Sequence, residues 1–161
     1  MPTDKAAELI AELGVELQLI NGTGAFYNTI VADGIDYGIE TFNPLGDTPT
    51  TGYPRVDLIA NDINVTDFST NSCARTEIEI TINAYLWKGA SLETGLSTYQ
   101  DSMHFCKDLR TAFRNYLNKQ SESDVDADLY TNSITQSIAY VQDFSISSLH
   151  ATLIFDEKLG D

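Results

Sequence analysis

Two histidines and two cysteines are the residues of this chain most able to take part in catalysis: His104, His150, Cys73 and Cys106. An imidazole within hydrogen-bond reach of a thiol can remove its proton and make it a nucleophile. His104 and Cys106 stand two residues apart, and on a helix that spacing directs side chains to different sides. Either histidine could partner a thiol only if the fold brought the two together, so the sequence favours no catalytic site.

The same residue types bear on metal binding. The chain has no CxxC pair and no cluster of Cys and His, which argues against a zinc site. In residues 122–128, alternate aspartates from Asp124 onward are typical of the start of a calcium loop. That pattern fails because Leu129 stands where the loop needs Gly and Thr135 where it needs Glu. We expect a solvated acidic linker, with an incidental weak cation site as the alternative, and no metal or cofactor.

Charge and composition exclude other classes of function. The 161 residues carry a formal net charge of −15, with 42% hydrophobic and 20% charged residues, which is typical of one globular domain. Nucleic-acid binding through phosphates needs clustered Lys and Arg, and anionic membranes also attract cations. The N-terminal segment lacks the apolar run of a signal peptide, and no stretch reaches the roughly 18 apolar residues of a membrane span. We therefore expect a cytoplasmic protein with reduced thiols, although two cysteines also allow one disulfide.

The element that organises the chain is the segment 75–88. Apolar or small residues occupy every second position from Ile78 to Leu86, which predicts a long central strand with one dry face and one wet face. The wet face carries Glu77 and Glu79 and ends in Tyr85 and Trp87. We interpret these aromatic residues as contact surface.

A long helix is predicted over 92–119. Its apolar positions recur at steps of three and four and form one face: Leu96, Tyr99, Met103, Cys106, Leu109, Phe113 and Leu117. Another face holds Lys107, Arg110, Arg114 and Lys119, four of the nine cations in the chain. We expect these cations to pair with acids of the same chain or of a neighbouring copy. A stripe for nucleic acid is the weaker alternative.

The remaining elements complete an α+β domain. A helix is predicted over 3–20, capped by Thr3 or Asp4, unless Gly14 ends it early. Asp33-Gly34 predicts a hairpin between 25–32 and 35–41, and 42–53 reads as a loop. Strands are expected over the ranges 54–61, 133–142 and 149–157, with a polar connection over 61–74 and a turn over 143–148. The predicted fold is a single α+β domain: a mixed, mostly antiparallel sheet packed by one long helix and an N-terminal helix, with a protruding β-hairpin.

The layout resembles a known family of phage proteins. Four stretches carry the likeness: Pro54-Arg55-Val56 opening a strand, Glu77 to Ile82 in the next strand, the helix from Leu109 to Tyr116, and the closing Ala151 to Phe155. Together, they resemble the tail terminator and tail completion (head-tail joining) family of long-tailed bacteriophages. The loop 42–53 and the acidic linker have no counterpart in the likeness.

This resemblance implies a structural virion protein without catalytic, cofactor or metal residues. Such a subunit forms a ring, usually hexameric, that caps the tail tube or sheath, ends its polymerisation and offers a docking face to the head connector. It is assembled in the host cytoplasm, binds no membrane and lets DNA pass through its bore without specific binding. Partners would be other copies of the chain, the tube or sheath protein and the connector.

The chain offers unlike patches for such a ring, because a closed ring needs a heterologous interface. The inter-subunit candidates are Lys107, Arg110, Arg114, Glu77, Glu79, Tyr85 and Trp87. Two alternatives stay open: another neck or head-tail joining ring protein, and a soluble α+β binding domain or small enzyme unrelated to phage.

Overall fold

The computed structural model describes residues 4–30, 35–37, 54–66, 73–89, 95–121 and 129–158. In chain order, the elements are α1 (Lys5–Gln18), β1 (Ile35–Asp36), β2 (Arg55–Thr66), β3 (Cys73–Trp87), α2 (Leu96–Ser121), β4 (Ile134–Val141) and β5 (Phe144–Lys158). The strands form one sheet in the order β1-β2-β3-β5-β4. β1 is parallel to β2, and the four longer strands are antiparallel. Both helices pack against this sheet, which confirms the predicted α+β fold.

β3 lies at the centre of the sheet, as the alternation of its sequence predicts. It pairs with β5 along its whole length, from Cys73 opposite Lys158 to Trp87 opposite Phe144, and with β2 on its other side. Its apolar positions face the helices and are fully buried: Ile78, Ile80, Ile82 and Ala84. A period-2 pattern in a half-buried strand allows only one register, because a slip of one residue would expose all four of these side chains.

α1 begins at its cap and continues through Gly14. The Asp4 carboxylate accepts a hydrogen bond from Ala7 N at 3.0 Å, which satisfies a free N–H of the first turn. Leu9, Leu13 and Leu17 are at most 1% exposed and form the core side of the helix. The helix continues to Gln18, so it does not end early at Gly14. Gly14 is buried, and its close packing offsets its low helix propensity.

α2 packs its apolar side chains on the sheet and on α1 from Phe105 onwards. Phe105, Leu109, Phe113 and Tyr116 are at most 2% exposed. The Tyr116 hydroxyl donates a hydrogen bond to Leu9 O at 2.9 Å and so satisfies its buried oxygen inside the helix pair. These contacts place the core between the two helices and one face of the sheet.

The N-terminal half of α2 is turned relative to the predicted apolar face. Leu96, Tyr99 and Met103 are 69%, 52% and 40% exposed, whereas Thr98 and Ser102 are at most 1% exposed. Ser102 Oγ donates to Thr98 O at 2.7 Å, and Ser147 Oγ of β5 donates to Ser102 O at 3.1 Å. Because the helix meets a stretch of β5 that presents serines, small hydroxyl-bearing residues pack here and the apolar residues point outward.

Two predicted boundaries are wrong, and the hairpin predicted between 25–32 and 35–41 is described only in part. Ile35–Asp36 of its second arm is parallel to β2, and Thr29 of its first arm bridges Asn21. β2 continues to Thr66 because the sheet absorbs the polar residue Asn61 as a bulge between Ala60 and Asp62.

The turn predicted over 143–148 is only Gln142 and Asp143, and Gln142 has a φ of 50°. The serines that suggest a longer turn belong to β5 and face α2 or the opposite side of the sheet. The side chain of Cys73, the Asp33-Gly34 pair, the loop 42–53 and the acidic linker 122–128 lie outside the described residues.

Candidate functional site

The sheet side opposite α1 and α2 carries most of the polar residues of the sheet. We call it the outer sheet face, and in β3 it consists of Glu77, Glu79, Thr81, Asn83, Tyr85 and Trp87. Alternation places the apolar residues of β3 under the helices and therefore sends these six to the other side. Four of the seven predicted inter-subunit residues, Glu77, Glu79, Tyr85 and Trp87, thus share one face.

Carboxylates crowd one end of the outer sheet face. Asp62 of β2 lies directly opposite Glu79 of β3, and Glu77 follows two residues away on the same side. Asp62 and Glu79 are exposed, and Glu77 is half-buried. Like charges directly opposite each other on a sheet are destabilising. Within the described part of the chain, no Lys or Arg forms an ion pair with these three carboxylates.

The opposite end of this face holds the two aromatic residues, and they differ in exposure. Trp87 is 40% exposed and presents part of its indole to solvent. Tyr85 is only 6% exposed. The interpretation of Tyr85 as contact surface is therefore wrong.

Tyr85 belongs to a polar cluster within the subunit. Burial raises the pKa of its phenol far above the ordinary value, the Asp57 carboxylate raises it further, and Asn83 and Arg55 act in the opposite direction. Asp57 is 2% exposed, and Ser148 Oγ donates to Asn83 Oδ1 at 2.7 Å. A neutral phenol hydrogen-bonded to Asp57 stabilises this part of the sheet, since ionised Tyr85 would stand beside a second negative charge.

A row of hydrogen bonds crosses the middle of the outer sheet face. Asn61 Nδ2 donates to Thr81 Oγ1 at 2.8 Å, and Thr81 Oγ1 lies 3.1 Å from His150 Nδ1. Since Thr81 accepts from Asn61, its own hydroxyl hydrogen is available for Nδ1 of a neutral His150, which would then carry its proton on Nε2. The row lines an open groove of about 280 Å³ that Glu79 and Thr135 also border. His150 therefore has polar partners but no thiol beside it.

The second predicted surface is the solvent side of α2. We call it the outer helix face, and its residues recur at helical spacing: Leu96, Tyr99, Met103, Lys107, Arg110 and Arg114. Lys107 Nζ lies 5.6 Å from the centre of the Tyr27 ring, and Arg110 Nη1 donates to Gln136 Oε1 at 2.6 Å. Neither partner carries a negative charge. Among the residues that the structure describes, none of the three cations is paired with a carboxylate.

Lys119 differs from the other cations of α2. Its Nζ lies 2.6 Å from Glu16 Oε2 on α1, and Glu16 is 5% exposed. The predicted pairing with an acid of the same chain is confirmed for this residue.

The three catalytic candidates whose side chains the structure describes do not converge. His104 is exposed on α2 and stacks on Tyr27 with ring centroids 4.1 Å apart. Cys106 is buried towards the sheet, where burial raises the pKa of its thiol while Ser147 and Arg110 oppose the rise. His150 lies on the other side of the sheet from Cys106. No group of three or more potential metal ligands occurs within the described ranges.

Sequence reasoning missed Asp108. This residue is fully buried on α2, and its carboxylate accepts hydrogen bonds from Tyr27 N, Asn28 N and Asn28 Nδ2 at 2.8–2.9 Å. It thereby attaches the connection after α1 to α2. Residue spacing alone does not reveal it, because Asp101 lies seven residues earlier, on nearly the same side of α2, and pairs with Lys88 instead.

Comparison with known proteins adds no family assignment. No protein-family model matches the sequence, and no curated protein is significantly similar to it. Among the described residues, no helix combines the length and the apolar character needed to cross a membrane.

Proposed function

We propose that this chain is a structural subunit that assembles head to tail into a ring of the tail-terminator type. The ring would cap a phage tail tube or sheath, end its polymerisation and present a docking face to the head connector. The family resemblance of the sequence is the origin of the proposal, and the distribution of charge supports it.

One observation carries the proposal: unlike surfaces lie on opposite sides of the same domain. The outer helix face ends in Lys107, Arg110 and Arg114, and the outer sheet face presents Asp62, Glu77 and Glu79. A heterologous interface joins two different patches of one subunit, and it closes into a ring when the rotation between neighbours permits. Because the two patches face away from each other, one copy can bind a neighbour on each side.

The net charge is compatible with a channel for DNA. Proteins that hold DNA neutralise several phosphates with Lys and Arg, and each such contact strengthens binding. With a formal charge of −15, the subunit would repel the DNA backbone over most of its surface. In the proposed ring, DNA would pass without being retained.

Mass and shape test the proposal directly. Light scattering of the purified chain should give one discrete multiple of 17.7 kDa, and negative-stain micrographs should show closed rings of one size. Adding the chain to its companion tail-tube protein should shorten the assembled tubes and block one end. A chain that stays monomeric at high concentration and leaves tube length unchanged would contradict the proposed function.

A further inference from the structure

The outer helix face changes in character along its length. Its N-terminal half presents Leu96, Tyr99 and Met103, the three exposed apolar residues, and its C-terminal half presents the cations up to Arg114. At the rise of an α-helix, Leu96 and Arg114 are about 27 Å apart. The face is therefore an elongated strip with an apolar end and a positive end.

The outer sheet face shows the complementary change. Trp87 is half-exposed at one end, and Glu77, Glu79 and Asp62 lie at the other. At the rise of a β-strand, Trp87 and Glu77 are about 34 Å apart. This strip also has an apolar end and a charged end, with the opposite sign and a similar length.

Neither charged end is ion-paired among the described residues. No described carboxylate pairs with Lys107, Arg110 or Arg114, and no described cation pairs with Asp62, Glu77 or Glu79. Arg75, two residues before Glu77 on the same face of β3, lies 5.3 Å from the centre of the Tyr130 ring instead. The cross-strand pair of Asp62 and Glu79 is repulsive in an isolated subunit. An arriving cation would relieve that repulsion, and the acidic end would equally satisfy the cations.

The orientation inside one subunit fits a repeating arrangement. Ser102 of α2 contacts Ser145 of β5, and Ser145 pairs with Leu86 of β3. One helical turn later, Cys106 O accepts a hydrogen bond from Gln136 of β4, which lies at the level of Ile82 of β3. The higher-numbered residue of α2 therefore lies over the lower-numbered residue of β3. α2 thus runs antiparallel to β3 beneath it. A neighbour rotated about an axis parallel to β3, as ring closure requires, keeps this antiparallel relation and would bring the apolar end of its α2 against Trp87.

From this complementarity we propose that the outer helix face of one copy packs along the outer sheet face of the next copy, with α2 antiparallel to the partner's central strand. The cationic end then meets the acidic end, and Leu96, Tyr99 and Met103 cover Trp87. This interface rests on the proposed ring and names its contact surfaces. The occupant is a second copy of this chain, because both halves of the interface are present on it and match in charge and polarity.

Charge reversal tests the pairing. Arg110→Glu with Arg114→Glu should weaken association by about tenfold or more, because it sets carboxylates against carboxylates. Each reversal changes the formal charge by two, so the pair takes it from −15 to −19. Adding Glu77→Lys and Glu79→Lys restores −15 and should restore association. All four positions are at the surface or half-buried, so circular dichroism and urea unfolding should confirm that the variants fold.

A matched control separates specific pairing from net charge. The control places three lysines on the exposed side of α1, through Glu8→Lys, Val15→Lys and Gln18→Lys. The first substitution adds two positive charges and the other two add one each, so the doubly reversed chain again returns from −19 to −15. These positions lie on neither proposed face. This combination should fail to restore association, whereas the Glu77 and Glu79 reversals should succeed.

Trp87 is the only tryptophan and gives an independent readout. Its fluorescence emission should move to shorter wavelength as the wild-type concentration rises through assembly, because the proposed contact removes the indole from water. The Arg110→Glu, Arg114→Glu chain should keep the long-wavelength emission at the same concentrations.

The outcomes distinguish this interface from the proposed function. Rings that persist in the doubly reversed chain, equal rescue by the α1 control, or an unchanged Trp87 emission on assembly would overturn the interface and leave the ring in place. A wild-type chain that never assembles would overturn both. Recovery of duplex DNA by the wild type and its loss in the doubly reversed chain, without any change in mass, would assign the cations to nucleic acid instead.

Discussion

Asp108 on α2 binds Asn28 through two hydrogen bonds, from Asn28 N and Asn28 Nδ2 to its Oδ2, at 2.9 and 2.8 Å. Its other oxygen accepts from Tyr27 N at 2.9 Å, and the carboxylate has no solvent exposure. The chain after α1 therefore folds back onto α2 through a buried charge that is fully hydrogen-bonded, which is the condition under which such burial is tolerated.

Replacing Asp108 by Asn should lower the free energy of unfolding by about 2–4 kcal/mol. The amide keeps the size of the side chain, but its NH₂ group would face backbone donors. Urea denaturation followed by circular dichroism measures the loss. Asn28→Ala is the matched control, because it removes one of the three hydrogen bonds and should cost only about 1 kcal/mol. Equal stability of Asp108→Asn and the wild type would contradict this role.

The effect of Gly14→Ala on stability should depend on whether Tyr37 is present. A Cβ on Gly14 would clash with the far end of the Tyr37 side chain, so Gly14→Ala must displace the phenol ring. Tyr37 is 46% exposed and its ring can move, so we expect the single variant to gain less than the roughly 1 kcal/mol that the higher helix propensity of Ala provides. In a Tyr37→Ala background, the same substitution should stabilise the protein by about 1 kcal/mol. Urea unfolding of the double-mutant cycle measures this, and additive effects would show that the two residues do not interact.

On α2, replacing a polar residue by an apolar one should destabilise the protein at position 102, whereas the reverse replacement should be tolerated at position 103. Ser102 is fully buried between α2 and β5, so Ser102→Leu should destabilise by about 1–3 kcal/mol through overpacking. Met103 is 40% exposed, so Met103→Ser should stay within about 0.5 kcal/mol of wild type. Thermal and urea unfolding at a concentration below assembly compare the two. The opposite ranking would place Met103, not Ser102, against the sheet.

Tyr85 should make the protein lose stability in alkali. Its pKa in the folded state is raised, chiefly by burial and then by Asp57, so the unfolded chain releases this proton at lower pH than the folded one. The stabilising contribution is complete below the unfolded pKa of about 10 and declines above it by about 1.4 kcal/mol per pH unit. Urea unfolding between pH 9 and about 11.5 should therefore show a shallower decline for Tyr85→Phe than for wild type. Parallel curves would contradict the burial of this phenol.

Cys106 should react slowly with alkylating reagents. Burial raises the pKa of its thiol, and only the thiolate is nucleophilic. In a Cys73→Ser chain, where Cys106 is the single thiol, we expect labelling by iodoacetamide at pH 8 to be about tenfold or more slower than in urea. Mass spectrometry follows the reaction. Equal rates in the folded and unfolded states would mean that the thiol is accessible and ionises normally.

The sequence by itself determined the parts of the fold that follow from periodicity. The alternation from Ile78 to Ala84 predicts the central strand and its buried face, because a strand sends successive side chains to opposite sides. Leu9, Leu13 and Leu17 likewise predict the core side of α1. The grouping of Lys107, Arg110 and Arg114 on one helix face also follows from spacing alone.

Only the tertiary structure decided what each surface meets. Hydrophobicity favours Met103 for the core, yet Ser102 is buried because it faces the serines of β5. Tyr85 occupies a position on the wet face and is nevertheless buried beside Asp57. Likewise, the cross-strand contact of Asp62 with Glu79 depends on a bulge at Asn61, which a single strand pattern does not encode. Periodicity specifies the direction of a side chain relative to its own element, whereas burial and charge pairing depend on residues that lie far away in the sequence.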